Sequence, residues 1–208
     1  MINKIINRAL NGEDLRKDEV LDLFRVQSPE ETLKILETAS EIRNSRKRSI
    51  KLTSTVHLTN ACQVTPKCKY CGFAAKTSSE GYYHSFTKTE DEILMAVKAV
   101  EKAGIPRVSC SGAHGYHGRH AVQAAKIVKE NTKLELLVNV GSDLTEKTIK
   151  QLADYQTDTV CCNLETVNKE LFNHLKPGEL LKDRLMVCKM VNEVGIELSS
   201  GLLIGIGE

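Results

Sequence analysis

Cys62, Cys68 and Cys71 fall within one stretch, A-C-Q-V-T-P-K-C-K-Y-C-G-F, at the end of an apolar run that reads as a strand. Thiolates are soft ligands that select iron-sulfur clusters, zinc or copper(I), so the residue type alone leaves the metal open. Their number narrows the choice. Structural zinc sites and electron-transfer clusters usually close with four protein ligands, whereas three leave a position at which a substrate or cofactor can coordinate. Zinc would need a fourth ligand, for which His57 and His84 are the nearest candidates. No second C-x2-C pair follows, and the adjacent Cys161 and Cys162 suit neither a finger nor a ribbon. A structural zinc site and unligated thiols are the lesser alternatives to a cluster.

Other residues could also do chemistry. The segment His114-Gly115-Tyr116-His117-Gly118-Arg119-His120 follows a predicted strand, and its three histidines at spacing three could meet substrate or metal; a glycine-rich loop with solvated histidines is the favoured reading. Glu165 could act as a base. Cys161 and Cys162 should point to opposite faces of their strand, so at most one lines the sheet's inner face.

The elements that must position these groups follow from periodicity. From Asn11 to Arg48 the pattern is helical, with Leu15, Val20, Leu21 and Leu23 in one segment and Leu33, Ile35, Leu36 and Ile42 in the next. Ser28-Pro29-Glu30-Glu31 supplies an N-cap, a first-turn proline and a capping-box glutamate. Strand-type runs then fall at about 52–58, 107–110, 134–140, 157–164 and 196–204, with helical patterns between them. The clearest helix runs from Thr89 to Ala103, opened by Thr89-Glu90-Asp91-Glu92 and stopped by Gly104; another spans about Leu180 to Val194. Strand and helix in alternation predict a parallel sheet, whose ligands bind at the carboxyl ends of the strands. Five βα units occupy residues 51–208 after an N-terminal helical extension over 1–50. A complete eight-unit barrel typically takes roughly 250 residues. The sequence therefore predicts a partial (β/α) barrel that stops after its fifth strand.

Among 208 residues, 29 basic and 27 acidic side chains give a net charge of +2, which offers no electrostatic case for nucleic acid. The basic run Arg43, Arg46, Lys47, Arg48 and Lys51 reads as a solvated helix end, where cations are favoured. Seven cysteines are an odd count, and the N-terminus M-I-N-K-I-I-N-R-A-L is too short and polar for a signal peptide or membrane span. The expectation is a cytoplasmic protein whose thiols serve metal ligation, with no membrane partner.

The C-x5-C-x2-C grouping, with Tyr70 before its last cysteine, resembles the cluster loop of the radical S-adenosylmethionine (SAM) superfamily, most of whose members use C-x3-C-x2-C. Four later segments match that family in order. Ser109-Cys110-Ser111-Gly112 resembles the segment that meets the methionyl ammonium, with Ala113 where the family often has Glu. Asn163-Leu164-Glu165-Thr166 is similar to the biotin synthase-like segment that meets the ribose and amino acid moiety. Arg184 resembles the arginine that pairs with the methionyl carboxylate, a pairing that suits a planar guanidinium. The run from Gly201 through Gly205 to Glu208 resembles the adenine-contacting G-x-I-x-G-x-x-E, with Leu203 in place of Ile.

The resemblance implies a 4Fe-4S cluster on Cys62, Cys68 and Cys71, with SAM at the open position. It also implies reductive cleavage to a 5'-deoxyadenosyl radical, an electron donor and a small-molecule substrate. Biotin synthase itself holds a second cluster, of whose ligands Cys110 matches one while Asn139 and Ser199 stand at the other two testable positions. Cys110 is then expected to be a small residue lining the barrel. The longer loop spacing resembles that of the HmdB group, implicated in assembling the iron-guanylylpyridinol cofactor of mono-iron hydrogenase in methanogens. A hydrogenase maturase of the HydE kind and a non-catalytic iron-sulfur or zinc-binding scaffold are the alternatives.

Overall fold

The computed structural model describes residues 2–45, 50–73, 84–140 and 142–207. Arg46, Lys47, Arg48 and Glu208, singled out above, lie outside the described residues. The chain forms two compact units, Met1–Ile50 and Lys51–Glu208.

The first unit holds three helices: α1 (Ile2–Leu10), α2 (Lys17–Phe24) and α3 (Pro29–Ser45). Pro29 opens α3 as expected, and the Ser28 hydroxyl accepts from the Glu31 N–H at 3.4 Å. Helix α1 falls within the expected helical extension, ahead of the two segments read from periodicity. Its Ile2, Ile5 and Ile6 form the buried centre of this unit, with Leu15, Leu23, Val26 and Ile35 packed around them. Val20, Leu21, Leu33 and Leu36 are exposed, so only part of each expected apolar stripe is used.

The second unit is a sheet of five parallel strands, β1 (Thr53–Thr59), β2 (Arg107–Gly112), β3 (Glu135–Asn139), β4 (Thr159–Cys161) and β5 (Glu197–Ser199), ordered as in the sequence. The sheet is open rather than closed into a barrel. Helices α4 (Glu90–Lys102), α5 (Arg119–Asn131), α6 (Glu146–Asp154), α7 (Lys169–Leu175) and α8 (Leu181–Glu193) form the connections. Thr89 caps α4 with the expected reciprocal box: its hydroxyl accepts from Glu92 N–H at 3.3 Å, and Glu92 Oε2 accepts from Thr89 N–H at 2.8 Å. No described helix is long and apolar enough to cross a membrane.

Strand alternation divides the sheet into two faces. Val56, Cys110, Val138 and Val160 occupy one lateral row, packed with Val97, Ala124, Val128 and Ile149 from the covering helices. His57, Ser111 and Asn139 occupy the next row, on the opposite face. Cys110 therefore belongs to the layer under the helices, not to the barrel lining expected of it; its neighbours Ser109 and Ser111 take the inner face. The last two strands are also shorter than their apolar runs. After Cys161 and Ser199 the ladder gives way to bonds from Leu164 N–H and Glu165 N–H to the Gly201 carbonyl, each 3.1 Å.

Candidate functional site

Every parallel strand ends at the same edge, and the loops leaving that edge enclose a cavity of about 290 Å3. Cys62 lies three residues beyond β1, in a loop tied down mainly by its backbone. Cys62 N–H donates to Asn60 O, Gln63 N–H to His114 O and Lys69 N–H to Leu175 O, each at 2.9 Å. Asn60 secures the loop's base by accepting from Phe86 N–H at 2.8 Å and donating to the His84 carbonyl at 2.9 Å. These bonds fix the loop against the ends of β2 and α7.

Cys62, Cys68 and Cys71 all line this cavity. Tyr70, Ser111 and Gly112 line it too, as do Asn163, Glu165 and Arg184. Gly201 and Gly205 do not. Gly201 instead supports the Asn163–Glu165 segment from behind through its carbonyl, and a Cβ there would sit 3.3 Å from Asn163 Oδ1. Glu165 has a φ of +65°, a left-handed conformation that costs a residue with a side chain roughly 1–2 kcal/mol. That strain is held by the Gly201 contact and by Leu203 N–H donating to the Glu165 carbonyl at 2.8 Å.

Arg184 is 3 % exposed. Its guanidinium donates to Glu179 Oε2 through Nη2 at 2.7 Å and Nε at 3.0 Å, and to the Asn163 carbonyl. Glu179 is the hub of the cavity wall. It also accepts from Ser142 Oγ at 2.7 Å, pairs with Lys176 Nζ at 3.1 Å and His114 Nδ1 at 3.4 Å, and receives the Cys68 thiol at 3.6 Å. Burial alone would raise its carboxyl pKa. The His114 hydrogen bond and the charges of Arg184 and Lys176 outweigh that and hold it far below the usual carboxylate range. Burial pushes the Cys68 thiol up, with Lys176 opposing and Glu179 adding to the shift.

Lys176, Glu179 and the inward His57 were not assigned to the site from sequence, although His57 was weighed as a zinc ligand. The available signal was the Pro177-Gly178 turn, flanked by a cation and an anion just before the helix that carries Arg184. Of the three loop histidines, His114 alone lines the cavity; His84 does not line it. Both Cys161 and Cys162 border it, against the expectation of one. Cys162 lies one residue past β4, where alternation no longer applies, and its thiol turns to the Arg184 carbonyl at 3.6 Å.

The donor set fits an iron-sulfur group. Among the described residues no three His, Cys, Asp or Glu side chains form a cage for a single metal ion. The three thiols line one cavity, a donor set that suits a polynuclear cluster, in which each thiolate binds its own iron. Buried Arg184 and the polar groups of Asn163 and Glu165 line the same cavity.

Comparison with known proteins places the chain among described families. An uncharacterized protein of Methanocaldococcus jannaschii is 54% identical over 206 residues, covering 99% of this chain and 54% of that protein. The biotin synthase of Persephonella marina is 28% identical over the whole chain, which covers 62% of that enzyme. The chain thus spans between half and two thirds of the length of these relatives. In fold it is similar to the crystal structure of methylornithine synthase, with a TM-score of 0.85 at 19% identity, covering 98% of this chain and 60% of that one. Residues 56–208 match the Radical SAM superfamily model, and the chain belongs to that superfamily, whose members use a 4Fe-4S cluster and SAM.

Proposed function

We propose that this chain carries the cluster- and SAM-binding site of a radical SAM enzyme. In this reading Cys62, Cys68 and Cys71 hold three irons, and the fourth iron is left for the amino and carboxylate groups of SAM. When bound, the cluster supplies the electron that breaks the sulfonium bond. The protein's own residues bind, orient and shield. Arg184, whose guanidinium is held by Glu179 and the Asn163 carbonyl, would meet the methionyl carboxylate by sharing or exchanging those bonds; Asn163 and Glu165 present polar groups beside it, and the segment at Ser111-Gly112 faces the same space. Gly201 holds the Asn163–Glu165 segment from behind through its carbonyl, and Gly205 follows it as the second glycine of the motif whose counterpart meets the adenine. Low exposure of Arg184 and Glu179 keeps water from competing for these contacts.

The observation that carries the reading is the convergence of the three thiols and Arg184 on one cavity. The substrate is a small molecule, and reduction requires a low-potential electron donor. The C-x5-C-x2-C spacing favours a role in biosynthesis of the iron-guanylylpyridinol cofactor of mono-iron hydrogenase, as in the HmdB group. The test is anaerobic reconstitution with iron and sulfide, followed by dithionite and SAM. One 4Fe-4S cluster per chain and 5'-deoxyadenosine well above a Cys68→Ala control are expected. Full cluster loading with no more 5'-deoxyadenosine than that control overturns the enzymatic reading and leaves a non-catalytic iron-sulfur scaffold.

A further inference from the structure

We propose that Lys176 and Glu179 tune the reduction potential of the cluster held at Cys68, in opposite senses. The inference rests on the cluster assignment above and adds two residues that neither the cysteine motif nor the SAM contacts include. Lys176 is buried, with 5 % of its surface exposed, and its ammonium lies 3.6 Å from Cys68 Sγ and 3.3 Å from the Tyr70 hydroxyl. Glu179 Oε1 lies 3.6 Å from the same sulfur. Two opposite charges are thus aimed at one prospective ligand atom, inside a wall that excludes solvent.

Stability alone does not account for this placement. Burying an ammonium and a carboxylate carries a desolvation cost that their mutual attraction often only balances, and apolar residues of similar volume would fill the same space. The pair is also delivered rigidly. Both charges sit on the single turn Lys176-Pro177-Gly178-Glu179, and Gly178 packs so closely on the cysteine loop that a Cβ would lie 2.3 Å from the Pro66 carbonyl oxygen. Lys69 N–H fixes the other side through Leu175 O at 2.9 Å.

Hydrogen bonds to cluster sulfurs and the surrounding net charge are levers that set an iron-sulfur potential. Reduction adds one electron from an external donor, so a nearby cation favours the reduced form and a nearby anion opposes it. Once Cys68 ligates iron as a thiolate it can no longer donate to Glu179, but it still accepts from Lys176. Glu179 also shares its charge with Arg184 and His114, whereas Arg184 adds a second cation to the wall. Lys176 therefore raises the potential and Glu179 lowers it.

The experiment reconstitutes the full chain anaerobically and follows a dithionite titration by electron paramagnetic resonance, with iron content measured alongside. Lys176→Met is expected to lower the reduced-to-oxidised ratio at a fixed potential by at least tenfold, a shift of about 59 mV for one electron. Glu179→Gln is expected to shift it the other way, and Lys176→Arg to stay close to the parent. Shifts of one sign in both charge-removing variants, or none at matched iron content, overturn the proposal while leaving the cluster assignment intact. Where Lys176→Met fails to load, the sign of the Glu179→Gln shift decides. Loss of the cluster from all three variants marks a purely structural turn and overturns it as well. A parent chain that takes up no cluster overturns both readings.

Discussion

Replacing Gly178 by Ala isolates the clamp between the Lys176-to-Glu179 turn and the cysteine loop. Gly178 has no left-handed φ to lose, so the substitution acts through space alone. The new methyl would lie 2.3 Å from Pro66 O, 2.7 Å from Val64 Cγ1 and 2.9 Å from the Thr65 carbonyl carbon. Two of these three atoms are backbone and cannot swing aside. Restoring ordinary contact, which begins at 3.4 Å, moves the segment between Cys62 and Cys68 by about 1 Å. Overpacking of this kind costs about 1–3 kcal/mol. For a chain of this size the midpoint of thermal unfolding then falls by about 2–4 °C for each kcal/mol. The assay pairs thermal unfolding with iron content after anaerobic reconstitution, using Gly72→Ala as the comparison. A Cβ at Gly72, next to Cys71, meets nothing within 4 Å, so that variant should match the parent in both measurements. If Gly178→Ala also matches the parent in both, the clamp is not what positions the loop.

Leu136→Ala in the middle of β3 empties a fully buried site and should cost about 2–5 kcal/mol in denaturant unfolding. Thr89→Ala removes the α4 cap and should cost about 1 kcal/mol by the same measurement, with the cluster site unchanged. Asp158 pairs with Lys129 and accepts from Leu136 N–H at 2.7 Å; burial raises its pKa, but these bonds prevail and hold it below the ordinary value. Its contribution is therefore present above the unfolded pKa of about 4 and is lost as the pH falls through the depressed folded value. Partial exposure limits the ion pair to about 0.2–1 kcal/mol. The stability gap between the parent and Asp158→Asn should close between about pH 5 and 2 in acid unfolding.

The features legible in the sequence are those decided by near neighbours along the chain. Thr89 and Glu92 are three residues apart, so their capping box needs nothing from the rest of the fold. The cysteines likewise share one loop. Asn163, Glu165 and Arg184 were found through resemblance, and each sits where a strand end or following helix delivers it. Glu179 was not legible, because apart from the nearby Lys176 and Arg184 its partners His114, Ser142 and Cys68 come from three separate segments that meet it only once the sheet forms. The misreading of Cys110 was avoidable. Placing Ser111 toward the ligand already assigns Cys110 to the opposite face, since adjacent strand residues alternate. The length of β5 was harder to read: apart from Glu197 the run 196–204 is apolar or small, yet Gly201 spends its carbonyl on Leu164 and Glu165 instead of extending the ladder.

With its thiol sealed beneath the helices and its pKa pushed up to about 12 by burial, Cys110 presents almost no thiolate at neutral pH. Cys162 is likewise pushed up to about 12, by burial and by the nearby Cys188. Alkylating reagents attack thiolate, so the folded protein sorts its cysteines into silent and reporting classes before any metal is added. Cys62 and Cys71 stand partly exposed on the cavity wall, where reagent can reach them. Iron seated across the loop then leaves a footprint in a peptide mass map: the loop cysteines lose their label, and Cys110, which never carried one, serves as the internal blank.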